Sequence, residues 1–139
     1  MITLKELLSG TSIADIPHNE QLNLEELLTR INKVRAAWNK PMTVTSGYRS
    51  MQDHLRIYSK INAERKAKGL PELTVPKGSK HLIGAAVDIS DPDGSLYQWC
   101  QDNEKLLSDI GLWMEIKDDQ KRVHFQIFPP KSGNRFFKP

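Results

Sequence analysis

The run Ala85-Ala86-Val87-Asp88-Ile89 places a carboxylate among small and β-branched apolar residues, where a strand would bury it. A buried carboxylate is costly unless a cation or hydrogen-bond donor faces it. The fold must therefore bring a partner to Asp88. Two histidines offer themselves: His81, seven positions earlier with Gly84 between, and His124 in the later apolar run Val123-His124-Phe125-Gln126. Two imidazoles and one carboxylate make a three-ligand set for a divalent metal, most naturally one zinc ion, with the fourth position left to water. Closed structural sites use four protein ligands, commonly thiolates, and Cys100 is the only cysteine. The pattern points to hydrolysis. For His81 alone a satisfied polar side chain would be the ordinary explanation; the buried Asp88 decides for a metal.

With 139 residues the chain suits one domain, 1–139, and no composition shift suggests a second. Twenty basic and seventeen acidic residues leave a net charge of only +3. The cluster Arg65-Lys66-Ala67-Lys68 reads as the solvated end of a helix, so no nucleic-acid partner is expected. No apolar run is long enough to cross a bilayer, and the first eight residues lack the basic head and apolar stretch of a secretory signal. A lone cysteine excludes an internal disulfide. His18 and His54 are expected to be ordinary surface residues.

Leu24, Leu27, Leu28, Ile31, Val34 and Trp38 recur at helical steps, predicting a helix over 23–38 with Asn23 and Glu26 as a capping box. Met42 to Thr45 suits a strand ending at Ser46-Gly47. Ser50 suits the N-cap of a second helix that buries Leu55, Tyr58 and Ile61 and ends at Gly69. An irregular loop then leads to Lys80, and Ala85 to Ser90 is a buried strand followed by the turn Asp91-Pro92-Asp93-Gly94. Leu96, Trp99, Cys100, Leu107 and Ile110 suit a single third helix ended by Gly111. Leu112–Ile116 and Arg122–Phe128 form a hairpin around a polar turn at 117–121. The tail from 129 to 139 lacks periodicity and is expected on the surface. This mixed order indicates an α+β domain with a small, largely antiparallel sheet flanked by helices.

Ser79-x-His81-x-x-Gly84-x-Ala86-x-Asp88, preceded by Ser46-Gly47-Tyr48-Arg49-Ser50 and followed by Val123-His124-Phe125-Gln126, resembles the zinc D-Ala-D-Ala carboxypeptidases. That group includes phage endolysins and the dipeptidases of vancomycin resistance, and shares its fold with lysostaphin-type and hedgehog domains. The resemblance covers about residues 20 to 128. It implies that His81, Asp88 and His124 hold zinc and that Arg49 stabilises the oxyanion or holds substrate. It also offers Ser79 and Tyr48 as substrate contacts, with capping of its loop the alternative for Ser79. Vancomycin-resistance relatives carry the catalytic glutamate three residues before the last histidine, where this chain has Lys121. Some endolysins carry the acid on the preceding arm after a Gly-Leu pair. Gly111-Leu112-Trp113-Met114-Glu115 matches that arrangement, making Glu115 the expected base with Asp118 and Asp119 as alternatives.

The implied activity is zinc-dependent hydrolysis of a peptide bond in peptidoglycan stem peptides or cross-bridges, by a monomer that does not insert into membranes. An endolysin-like enzyme of this kind would be made in the cytoplasm and reach the cell wall through phage-mediated release or within a virion. The alternatives are a zinc-binding module without catalysis and a virion structural protein of the same fold.

Overall fold

The computed structural model describes residues 1–76, 78–116 and 121–138. It is an α+β arrangement. A five-stranded sheet has the order β1-β2-β4-β3-β5, with β1 at Val44–Ser46, β2 at Ala86–Ser90, β3 at Trp113–Glu115, β4 at Arg122–Gln126 and β5 at Phe136–Phe137. All neighbours are antiparallel except β3 and β5. The helices are α1 (Leu4–Leu8), α2 (His18–Trp38), α3 (Met51–Ala67), α4 (Ser95–Asp102) and α5 (Glu104–Ile110). A short 3-10 turn spans Lys80–Ile83.

The apolar stripe of α2 builds the core as its spacing predicts: Leu24, Leu27, Ile31 and Val34 are all buried. They share one cluster with Val87 and Ile89 of β2, Met114 of β3, and Val123 and Phe125 of β4. Side chains alternate across a strand, so the opposite face of β2 and β4 carries Asp88 and His124. Core burial on one face thus fixes the register that presents the polar residues on the other.

Four elements depart from their expected form. Helix α2 starts at His18, after Pro17, instead of at Asn23. The Asn23 amide does not cap; it donates to the Ile83 carbonyl at 2.9 Å and holds the 3-10 turn. In α3, Ser50 does accept from the Asp53 N–H, but Leu55 is 47% exposed and His54, expected on the surface, is 1% exposed. The third helix is two, α4 and α5, broken at Asn103. The tail is more than a surface strap: β5 pairs parallel with β3, which buries Phe137.

Close approach requires a glycine at position 47. A Cβ on Gly47 would lie 2.2 Å from the Leu7 carbonyl oxygen, which also accepts from the Tyr48 N–H at 2.7 Å. Gly47→Ala must therefore shift backbone between α1 and β1. We expect a loss of about 1–3 kcal/mol in urea unfolding, and an unchanged midpoint would show that this contact is slack.

Candidate metal centre

Pairing of β2 with β4 sets Asp88 directly opposite His124. His81 arrives from the 3-10 turn, which Gly84 ends at φ +73°, a conformation open to glycine that returns the chain into β2. A Cβ there would also press on Leu24 and the Glu20 carbonyl. His81 Nε2 lies 3.3 Å and His124 Nδ1 2.9 Å from Asp88 Oδ1. The three ligand atoms all fall within 4.8 Å of one another.

Hydrogen bonds fix which ring nitrogens are free. His81 Nδ1–H donates to the Gly47 carbonyl at 2.8 Å, leaving the Nε2 lone pair aimed at the site. The Gln126 amide nitrogen donates to the Phe128 carbonyl at 2.8 Å, so its Oε1 accepts from His124 Nε2–H at 2.9 Å. His124 Nδ1 is thereby left with its lone pair. Three electron-pair donors then converge with no hydrogen between them, an arrangement only a cation or an added proton satisfies. Bonds of about 2.0–2.2 Å in a tetrahedral site would set neighbouring ligand atoms about 3.3 Å apart. The residues fit zinc. Each histidine also has the outer partner that metal-ligating imidazoles use to fix tautomer and orientation.

The electrostatics agree. Burial alone would raise the Asp88 pKa, yet hydrogen bonds to His124 and His81 outweigh it and hold the carboxyl below its usual range. Burial works against charge on His124 too, and Asp88 outweighs it, so that the His124 pKa lies above its ordinary value. The spot attracts positive charge. Arg122 Nη1 bonds Asp88 Oδ2 at 3.0 Å, reserving Oδ1 for the histidine side.

These residues open onto a cleft of about 780 Å³, lined also by Arg49, Ser79, Glu115 and Phe137. Trp113 pairs with Gln126 and Met114 with Phe125; continuing that register carries Glu115 to the His124 side. Glu115 acts electrostatically on His124, raising its pKa. Asp118 and Asp119 lie outside the described residues. Arg49 donates its backbone N–H to the His81 carbonyl at 3.1 Å. Its guanidinium contacts Ser46 Oγ at 3.2 Å and His54 Nδ1 at 3.3 Å. Among the described residues it has no acidic partner. Ser79 is half-buried at the cleft.

Tyr48 is placed elsewhere. Its hydroxyl donates to Glu20 at 2.9 Å, its ring belongs to the core cluster, and it is not among the cleft residues. Burial, then the Glu20 carboxylate, pushes its phenol up to about 12. No motif in the sequence singles out Arg122, Gln126 or His54. Period two counted from His124 would have placed the first two on the metal face; nothing in the helical pattern singled out His54.

A family model described as VanY: D-alanyl-D-alanine carboxypeptidase matches residues 18–135. The chain belongs to that family. No relative was found among curated proteins. Similar solved structures include two at 28% identity. One is VanYB in complex with D-alanine-D-alanine, with a TM-score of 0.47, covering 64% of this chain and 56% of that one. The other is a mutant of the vancomycin-resistance D,D-pentapeptidase VanY from a VanB-type cassette in complex with Zn(II), with a TM-score of 0.45, covering 64% and 57%. The present chain thus matches little more than half the length of either.

Proposed function

We propose that the chain is a zinc peptidase that hydrolyses a peptide bond in peptidoglycan stem peptides. The observation that carries this reading is the pair of fixed tautomers, which aim His81 Nε2 and His124 Nδ1 at Asp88 Oδ1 on the floor of an open cleft. Membership of a family described as D-alanyl-D-alanine carboxypeptidases supports the substrate class. Zinc, when bound, acts as a Lewis acid that acidifies water and polarises a carbonyl.

In this proposal Glu115 takes the proton of the attacking water and returns it to the leaving amine, as general base and then general acid. Arg49, whose side-chain partners among the described residues are neutral, directs its charge to the oxygen on which negative charge develops or to a substrate carboxylate. Ser79 orients the substrate from the rim beside His81. Tyr48 braces the loop before Arg49 through its bond to Glu20. An endolysin-like role in wall lysis belongs to the same reading and is supported by the match of Gly111–Glu115 to the endolysin arrangement.

Arg49→Ala should fold and keep its metal while losing about a hundred-fold or more in turnover. Arg49→Lys should recover little, since an ammonium cannot reproduce the planar fork. Parental rates for Arg49→Ala would remove it from the mechanism. The reading as a whole is tested by digesting purified peptidoglycan with the zinc-loaded chain and with chelated chain, and weighing the fragments. Cleavage that the chelator abolishes supports it, and the fragment masses separate release of terminal D-alanine from an internal cut. No cleavage with metal bound would leave a zinc-binding module without catalysis.

A further inference from the structure

His54 is a buried imidazole on a helix that buries no other side chain completely. It lines the metal cleft without bonding to any of the proposed metal ligands, and both its nitrogens are used. One, Nε2–H, donates to the Pro76 carbonyl. The other, Nδ1, lies 3.3 Å from Arg49 Nη1 and accepts from it. A guanidinium can only donate, and a carbonyl can only accept, so these neighbours admit a single arrangement: a neutral ring protonated at Nε2. Its face rests on Tyr58, with ring centres 4.9 Å apart.

Three things that line the cleft therefore meet at this one ring. They are Arg49 just before the N-cap of α3, Tyr58 one turn further along the helix, and Pro76 in the segment leading to Ser79 and His81. Among the described residues Arg49 has one other side-chain partner, Ser46 Oγ. A long side chain held by two neutral acceptors keeps its charge available while losing its freedom to swing into solvent, the preorganisation that an electrostatic stabiliser needs.

We propose that His54 is a positioning residue: it holds the Arg49 guanidinium over the cleft and ties α3 to the Pro76 segment. The inference rests on the role given to Arg49 above. It does not require His54 to touch substrate or metal.

The test compares His54→Leu, His54→Gln, Arg49→Ala and the double variant His54→Leu/Arg49→Ala, each with its zinc content measured. Leucine fills the space without either hydrogen bond; glutamine keeps one donor and one acceptor. We expect His54→Leu to retain zinc and lose about ten- to a hundred-fold in kcat/KM, with His54→Gln recovering most of it. The double variant should be no slower than Arg49→Ala, because one residue acts through the other. A parental rate for His54→Leu, or penalties that multiply in the double variant, would overturn the proposal.

Nitrogen-15 NMR of the parent chain decides the matter without catalysis. An Nε2–H tautomer of His54 and a persistent Arg49 guanidinium signal, lost in His54→Leu, support the inference. An Nδ1–H tautomer, or an Arg49 signal indifferent to the substitution, overturns it. If His54→Leu does not fold, the tautomer in the parent chain is the deciding reading. If the parent chain cleaves nothing, the proposed function fails while the NMR result still judges His54.

Discussion

His124→Ala should emerge from purification with almost no zinc and no hydrolysis above background. Of the three converging atoms, His81 Nε2 and Asp88 Oδ1 would remain, and two protein ligands hold zinc poorly where catalytic sites use three. The loss should be specific to the site, because the neighbours Val123 and Phe125 enter the core from the other face of β4 and would still do so. Removing the ring also leaves Gln126 Oε1 without its donor, so a modest stability cost of about 1–3 kcal/mol is expected. Elemental analysis and circular dichroism on one preparation separate the two effects. A folded variant that keeps one zinc per chain would exclude His124 as a ligand.

Glu115→Gln should have the opposite signature, with zinc retained and turnover reduced by about 10²- to 10⁴-fold. The amide keeps the size of the side chain and removes its capacity to take a proton. The strand register supports Glu115: β3 pairs with β4 through Trp113 and Met114, and the next step along leads to the His124 side. Asp118→Asn and Asp119→Asn are the controls. If either of them abolishes hydrolysis and Glu115→Gln does not, that aspartate is the base, and the match of Gly111–Glu115 to the endolysin arrangement loses its meaning.

The proposed metal ligands are legible because they break a local rule. A carboxylate inside Ala85–Ile89 is out of place in a strand, and such a conflict is where function shows through composition. The residues that orient the ligands were less visible because they obey the rules. Gln126 is an ordinary polar residue on the metal face of β4, and Arg122 an ordinary arginine two positions before His124. His81 relies on the backbone carbonyl of Gly47, which no side-chain pattern can announce.

Helix α3 misled for a physical reason. Apolar spacing favours Leu55, Tyr58 and Ile61 as its inner face, but the fully buried position of α3 is taken by His54, which lines the polar cleft. Helix α2, which does lie on the core, followed its apolar stripe faithfully. The tail was read as surface because two residues are too few for any period to register. What gives β5 its place is the edge of β3, which accepts Phe136 and Phe137 in parallel. Tyr48 shows the limit of reading roles from a motif: its neighbour Arg49 faces the cleft, while its own hydroxyl turns back to Glu20.

The most direct test of the account is a zinc titration of chelated, metal-free chain, followed by release of peptide fragments from purified peptidoglycan. Cleavage should rise in proportion to added zinc and break at about one ion per chain, the capacity of a single three-ligand site. A chain that cleaves equally well before zinc is added, or that takes up one zinc and still cleaves nothing, would contradict it.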